Sequence, residues 1–425
     1  MIAKLLPKGA FARNVITLMT GTTLAQAIPV AISPLLTRLY SPAEFGVFAL
    51  YMAIVSVLAV LATGRYELAI MVPKRDRDAA AIVAVAFLCC LCISALLLVV
   101  VSVFNEPIAR LFNISGHAHW LYWVPLSVML TAAYQSLNYW CNRRAYYRRM
   151  SSTRVVQNSG MSAVHLTLGY AGFGMLGLIA GAVFGHVSAF LMLLQGVFRN
   201  DRKAFAQLTG PRIKAAARRH SDFPKFLVLA HSFNMASFQS PIFLLGTFFG
   251  SGVAGFFMLT QRVIGAPMSI VAGAIGDVFR QQASEEYSRN GECKDIYRKT
   301  FKRLLCISVV PFLVFFLIAP DFFGLVFGAQ WTVSGEYARI LTPMLFFQFI
   351  TSPLSSMFFI AGKQRADLIW QFFLFFVVCS SLALGGYNGD VHLALVLFSI
   401  GYSVMYIVNG LMTYRFARGE RILFG

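Results

Sequence analysis

An arginine inside a long apolar run is the residue of this sequence whose type and position most clearly indicate chemistry. Arg262 lies in the mostly apolar segment 254–277. A charged side chain in a membrane helix is costly and by default faces protein or water. Two interpretations are open: Arg262 extends to the outer interface, or it binds an anionic group in a polar cavity. Its helical face continues with small residues, namely Gly265, Ser269, Gly273 and Gly276.

A second pair of charges, Arg65 and Glu67, precedes the short apolar stretch 68–73. Counted from Pro42, Arg65 would lie about 34 Å along a helix, near the inner boundary of a bilayer. Residues at i and i+2 point to different faces of a helix, so we expect no bridge between the two. Either Arg65 extends to the interface while Glu67 binds a neighbouring helix, or Arg65 binds an anion while Glu67 titrates.

The elements that must position these charges are membrane-spanning helices. Of the 425 residues 58% are hydrophobic and only 12% are charged, whereas a soluble domain is about one-quarter charged. A spanning helix needs about 20 mostly apolar residues. The sequence predicts twelve such spans: 14–38, 42–63, 79–103, 120–140, 155–174, 176–197, 224–248, 254–277, 303–320, 338–361, 366–386 and 391–413.

The positions of the 36 Lys and Arg residues predict the orientation of these spans. With the N-terminus inside, 32 of them fall in inner segments and 3 in outer segments, and Arg262 lies within a span. This asymmetry follows the positive-inside rule. It predicts that both termini are cytoplasmic, and it accounts for the net charge of +19 without nucleic-acid binding. The first apolar stretch lacks an early cleavage site and is predicted to be a retained span.

The spans divide into two groups of six. We expect an all-α polytopic membrane protein with two six-helix lobes around a central cavity, the lobes being residues 1–198 and 224–425. The basic segment 199–223 between them is predicted to be a cytoplasmic linker with a helix on the inner membrane surface. Because six is even, both lobes have the same orientation, which predicts a pseudo-two-fold axis along the membrane normal.

Four motifs of this sequence resemble those of the polysaccharide-export flippases. They are GTTLAQ at 21–26, LTRLYSPAEFG at 36–46, RYELAI at 65–70 and LTQR at 259–262. That family contains the O-antigen and oligosaccharide translocases of the multidrug/oligosaccharidyl-lipid/polysaccharide superfamily. The resemblance implies flipping of undecaprenyl-pyrophosphate-linked oligosaccharide units from the cytoplasmic to the periplasmic leaflet of the bacterial inner membrane. It also implies alternating access and ion coupling.

Polar stripes at helical spacing could form the wall of the cavity that such a substrate needs. Three of them are Thr131, Gln135, Asn138 and Asn142; Asn158, Ser162 and His165; and Thr22, Gln26 and Ser33. Amides on one face can hydrogen-bond sugars, or they can hold helices together. We expect the substrate-binding residues to be Arg262, Arg65, Glu67, Arg38, Gln26, Gln135, Asn138, Asn142, Asn158, Asn234 and Gln261.

Ion coupling would need groups that titrate in the membrane, and the candidates are His165, His231 and Glu67. A lone intramembrane histidine can equally be a packing residue. The alternative function is a drug:cation antiporter of the same superfamily, which would need acidic residues deep in its spans. No catalytic constellation or metal spacing is evident, so we expect no enzyme, metal or cofactor. The expected partners are the lipid-linked oligosaccharide, membrane lipids, and a polysaccharide polymerase and chain-length regulator.

Overall fold

The chain folds into long helices. The computed structural model describes the backbone of residues 10–111 and 118–420, with the side chains of residues 20–110 and 118–420 apart from 226, 229, 230, 233 and 234. Within these residues the secondary structure is helical, without strands. The α-helices are α1 (Ala10–Leu39), α2 (Pro42–Ala62), α3 (Tyr66–Ala69), α4 (Asp76–Leu111), α5 (Trp123–Arg143), α6 (Tyr147–Tyr170), α7 (Met175–Phe205), α8 (Gly210–Arg219), α9 (Val228–Phe249), α10 (Ser251–Asn290), α11 (Lys294–Phe327), α12 (Thr332–Thr351), α13 (Met357–Ile360), α14 (Gln364–Tyr387) and α15 (Val391–Ala417).

Eleven of the twelve predicted spans each coincide with one long helix, and the tenth, 338–361, comprises most of α12, a 3-10 helix at Ser352–Ser356 and the short α13. The short helices α3 and α8 lie between spans. By length and composition, eight helices of the described chain are able to cross a membrane. Neither α5 nor α6 is among these eight, because both carry the polar stripes noted above. The predicted all-α polytopic membrane fold is confirmed.

Two helices extend well beyond their predicted spans. At 1.5 Å per residue, α10 is about 60 Å long and α11 about 50 Å, against a hydrocarbon core of about 30 Å. An apolar run marks only the part of a helix that lies inside lipid. The predicted spans therefore do not include the polar parts of α10 and α11. The two helices are joined at Gly291, whose φ of 71° ends α10 in the left-handed region.

The start of α2 is set by local sequence. The Ser41 side chain accepts a hydrogen bond from the Glu44 backbone N–H, and the Glu44 carboxylate accepts one from the Ser41 backbone N–H at 2.7 Å. Pro42 occupies the first turn. This capping box fixes where α2 begins. It thereby helps to position the turn that follows the other end of α2.

The described chain divides into two compact units, with the boundary between Gln239 and Ser240 inside α9. Unit 1 has a core around Trp140, whose indole N–H donates to the buried Asp201 carboxylate at 3.0 Å. Asp201 also accepts from Tyr146 and pairs with Arg144. This network ties α5 to α7 at one end of unit 1. Unit 2 contains two apolar clusters, one around Phe279 and Leu354 and another around Phe257, Leu341 and Phe398.

Candidate functional site

A left-handed turn after α2 brings Arg65 and Glu67 together. Gly64 has a φ of 57° and Arg65 a φ of 58°, so α2 ends before Arg65 and α3 begins after it. Arg65 Nη1 donates to Glu67 Oε1 at 2.9 Å. The expectation that the two side chains diverge is wrong, because it assumed a continuous helix. A non-glycine residue in this conformation costs about 1–3 kcal/mol, which the ion pair helps to offset.

The Arg65–Glu67 pair is buried but incompletely satisfied. The Glu67 side chain has no solvent exposure and the Arg65 side chain is 12% exposed. Arg65 Nε and Glu67 Oε2 are both buried and lack a hydrogen-bond partner among the described residues. Leaving such atoms unpaired is costly. These atoms therefore mark a place where a ligand or a water molecule can bind.

Three neighbouring helices contribute polar groups around this pair. Tyr139 on α5 and His231 on α9 lie within electrostatic range of both Arg65 and Glu67, and Cys90 on α4 lies within range of Glu67. His231, one of the candidates for ion coupling, is thus beside the buried pair. We call Arg65, Glu67, Tyr139 and His231 the ion-pair cluster.

The stripe on α5 is half-buried along its length, while Leu137 and Trp140 on the opposite face are fully buried. Within the stripe, Thr131 Oγ1 and Asn138 Oδ1 are enclosed and have no hydrogen-bond partner in the described part of the chain. Gln135 and Asn142 are also half-buried. Amide and hydroxyl groups with unused hydrogen-bonding capacity suit a hydroxylated ligand.

Arg154, two turns into α6, connects this region to α1. Its Nη1 donates to Thr22 Oγ1 at 2.7 Å, and its charge lies within electrostatic range of Tyr134 on α5. Asn158, one turn further along α6, donates to the Arg154 carbonyl at 3.1 Å. Arg154 is a functional candidate that the sequence analysis missed, because its position at the end of a span assigned it to an inner loop.

His165 is enclosed between helices. Its Nε2 lies 2.8 Å from the Leu178 carbonyl oxygen, and its own carbonyl accepts from the Tyr40 hydroxyl at 2.6 Å. Phe48 packs edge-on against the imidazole, and any side chain at Gly181 would overlap it. These contacts favour the packing interpretation of His165.

In unit 2, Arg262 lies about 16 Å from the start of α10, counted at 1.5 Å per residue. The neighbouring Thr260 donates to the Ser334 carbonyl at 2.8 Å, which fixes one face of α10 against α12. Arg262 and Gln261 are half-buried. Among the described residues, Arg262 makes neither an ion pair nor a hydrogen bond. Gly265 and Ser269 lie on the same face of α10 as Arg262, and their small side chains leave space beside the guanidinium.

Other predicted site residues lie apart from these groups. Arg38 is exposed at the end of α1, and α2, about 30 Å long, separates it from Arg65. Gln26 is exposed on α1. The Asn234 side chain lies outside the described residues. Arg38 and Arg65 therefore cannot bind one phosphate group together in unit 1.

A basic pocket lies between residues 72–78 and α8. It has a volume of about 590 Å³. Its ionisable lining residues are Lys74, Arg75, Asp78, Arg212, Arg219 and His220. Burial, and then the positive charge of Arg219, lower the pKa of His220 from its ordinary value. Tyr66 donates to the Ala217 carbonyl at 3.0 Å and so joins α8 to the turn that carries Arg65.

The sequence of this chain matches a family model described as "Polysaccharide biosynthesis protein" over residues 35–336. The chain belongs to this family. This polysaccharide biosynthesis protein is 24% identical over 393 residues to the succinoglycan biosynthesis transport protein ExoT of Rhizobium meliloti (strain 1021). The alignment covers 90% of this chain and 76% of that protein.

Solved structures show that this polysaccharide biosynthesis protein has a transporter fold. It is similar to the lipid II flippase MurJ in an inward closed conformation, with a TM-score of 0.71 and 12% identity over 96% of this chain and 87% of that one. It is also similar to an inward-facing multidrug resistance MATE transporter, with a TM-score of 0.66 and 16% identity over 94% and 95% of the two chains. The resemblance to flippases predicted from the sequence is confirmed at the level of the family and the fold.

Proposed function

We propose that this protein flips undecaprenyl-pyrophosphate-linked oligosaccharide units from the cytoplasmic to the periplasmic leaflet of the bacterial inner membrane. The observation that carries the proposal is the unpaired Arg262 about 16 Å inside a membrane-spanning helix. An unpaired guanidinium at that depth favours an anionic ligand. Membership of a polysaccharide biosynthesis family, and the names of its transporter relatives, support a lipid-linked glycan as that ligand.

The physical problem is the transfer of a charged, hydroxylated headgroup through hydrocarbon. Bare transfer of the ionised phosphates costs tens of kcal/mol in the Born limit. Arg65 and Arg154 in unit 1, and Arg262 in unit 2, each offer a fixed cation that would replace water around a phosphate. The amides of Gln135 and Asn138 would replace water around the sugars. Transport by alternating access, with both termini cytoplasmic, is part of the same proposal.

Ion coupling is proposed to occur at the ion-pair cluster. A diphosphate that binds Arg65 competes with Glu67 for the guanidinium. The headgroup and the Glu67 carboxylate would therefore bind the Arg65 guanidinium in alternation, and re-formation of the ion pair would release the substrate. We propose that the coupling ion acts on this exchange at Glu67 or His231.

A drug:cation antiporter remains the rival, since multidrug transporters share the fold. A cationic drug needs an available acid, whereas Glu67 Oε1 is already paired with Arg65. Transport of an anion is therefore the better fit. A polymerase that would consume the flipped units, and a chain-length regulator, are proposed as partners.

The decisive experiment measures the sidedness of lipid-linked oligosaccharide in spheroplasts, using a periplasm-restricted glycosidase as the probe. Cells without this protein should accumulate the lipid-linked unit on the cytoplasmic face, where the enzyme cannot reach it. Restoring the protein should expose the unit to cleavage. Unchanged sidedness, with other flippases deleted, would exclude the proposed function and favour small-molecule export.

A further inference from the structure

A groove in unit 2 combines positive charge at one end with an apolar channel along the rest. It has a volume of about 700 Å³ and lies between α11, α12 and α15. Arg298 and Lys302 line the end nearer the start of α11. Phe301, Leu305, Phe347 and Ile407 line its apolar part. From Arg298 to Leu305 the groove follows α11 for about 10 Å.

The charged end of the groove is held in place by bonds between α11 and α15. Arg298 Nε donates to the Tyr414 hydroxyl at 2.9 Å, and the guanidinium carbon lies 5.6 Å from the centre of the Tyr414 ring. The Tyr297 hydroxyl lies 3.0 Å from the Gly410 carbonyl oxygen and 2.9 Å from Thr413 Oγ1. The groove is thus a built feature of unit 2 rather than a gap between loose helices.

The two cations lack a counter-charge within the described part of the protein. Arg298 and Lys302 are one turn apart on α11, where like charges repel. Neither forms an ion pair with a described carboxylate, and the residues that line the groove include no acid. An anion bound between them would relieve this repulsion.

The polar groups of the groove do not suit a sugar. The hydroxyls of Tyr297 and Tyr414 are already hydrogen-bonded. The Thr351 hydroxyl donates to the Phe347 carbonyl of its own helix at 2.8 Å. A glycan would find few available partners, whereas a hydrocarbon chain needs none. The chemistry of the groove therefore matches an amphiphile with a small anionic head.

We propose that this groove binds an anionic phospholipid, with its phosphate between Arg298 and Lys302 and one acyl chain along Phe301, Leu305 and Phe347. Basic pockets between membrane helices on the cytoplasmic side are where acidic phospholipid headgroups bind. The site is separate from the proposed transport of glycans, because it offers no groups for sugars. It would tie unit 2 to the acidic lipids of the inner leaflet.

The test is native mass spectrometry of the purified full-length protein in detergent, titrated with phosphatidylglycerol or with phosphatidylcholine of the same acyl chains. We expect tighter binding of phosphatidylglycerol. The double variant Arg298→Gln/Lys302→Gln should weaken that binding about 25-fold, since each basic residue contributes about fivefold. The matched control is Lys299→Gln/Arg303→Gln, which removes two exposed cations of the same helix that do not line the groove. It should change binding less than twofold.

A second pair of variants tests the apolar channel. Ile407 and Val408 are neighbours on α15 with exposures of 42% and 39%, and Ile407 alone of the two lines the groove. Ile407→Trp should reduce binding of both lipids, and Val408→Trp should not. Equal binding of the two lipids by the native protein, or equal loss in the matched variants, would exclude the site. Stronger competition by a polyprenyl phosphate than by phosphatidylglycerol would assign the groove to the substrate lipid instead.

Discussion

Arg65 and Glu67 are bonded to each other at 2.9 Å although a single residue separates them. This contact depends on the left-handed conformation of Arg65, which folds its side chain back over the first turn of α3. Because the pair is buried, each charge stabilises the other in a medium where neither could remain alone. Replacing one member of the pair should therefore affect stability differently from replacing both.

Breaking the pair from one side should destabilise the protein more than removing both charges. Arg65→Met leaves a buried carboxylate without a cation and should lower the free energy of unfolding by about 3 kcal/mol. The double variant Arg65→Met/Glu67→Met should recover most of that loss. Thermal unfolding of the purified variants in detergent measures the difference. If Arg65→Met were as stable as the native protein, the two charges would not be coupled.

The same variants separate stability from transport. The double variant should be made and inserted normally, yet it should not flip the lipid-linked unit in the spheroplast assay, because it lacks both the proposed phosphate ligand and the carboxylate that exchanges with it. Native transport by this variant would exclude the ion-pair cluster from the proposed mechanism, whatever the stability data show.

Arg262 should be essential for transport and dispensable for folding, since it makes no ion pair within the described residues. Arg262→Ala should abolish export without loss of protein. Arg262→Lys should keep part of the activity, because it retains the charge but not the planar fork of donors. The control is Arg280→Ala on the same helix, where the exposed Arg280 lies 3.7 Å from Asp277. Export should be normal in that control. Normal export by Arg262→Ala would show that Arg262 is not a phosphate ligand.

His165 and His231, the two histidines proposed for ion coupling, should respond differently to substitution. His165 is enclosed by Leu178, Tyr40 and Phe48, so His165→Gln should leave the pH profile of transport unchanged. His231 lies within range of Arg65 and Glu67, so His231→Gln should shift that profile. Transport into inverted vesicles at several pH values measures both. A shifted profile for His165→Gln alone would reverse the assignment.

Local sequence rules predict the helices well, and they fail where distant segments meet. The start of α2 follows from Ser41, Pro42 and Glu44, which act within one turn. The Arg65–Glu67 contact could not be predicted, because nothing in the sequence places a left-handed residue at a non-glycine position. The bond from Arg154 to Thr22 joins residues 132 positions apart. Only the packing of α6 against α1 brings those two together.

Arg154 provides the sharpest test of whether the polar region formed by α1, α5 and α6 binds substrate. Its Nη1 donates to Thr22 Oγ1 at 2.7 Å. Thr22→Val removes that partner and keeps the charge, whereas Arg154→Gln removes the charge. If the region binds phosphate, this variant should lose most transport and retain its thermal stability. Arg148→Gln, which removes an exposed cation from the same helix, is the matched control and should transport normally. Equal transport by Arg154→Gln and Arg148→Gln would exclude Arg154 as a phosphate ligand, and a loss of thermal stability in Thr22→Val would show that the bond to Thr22 joins the helices.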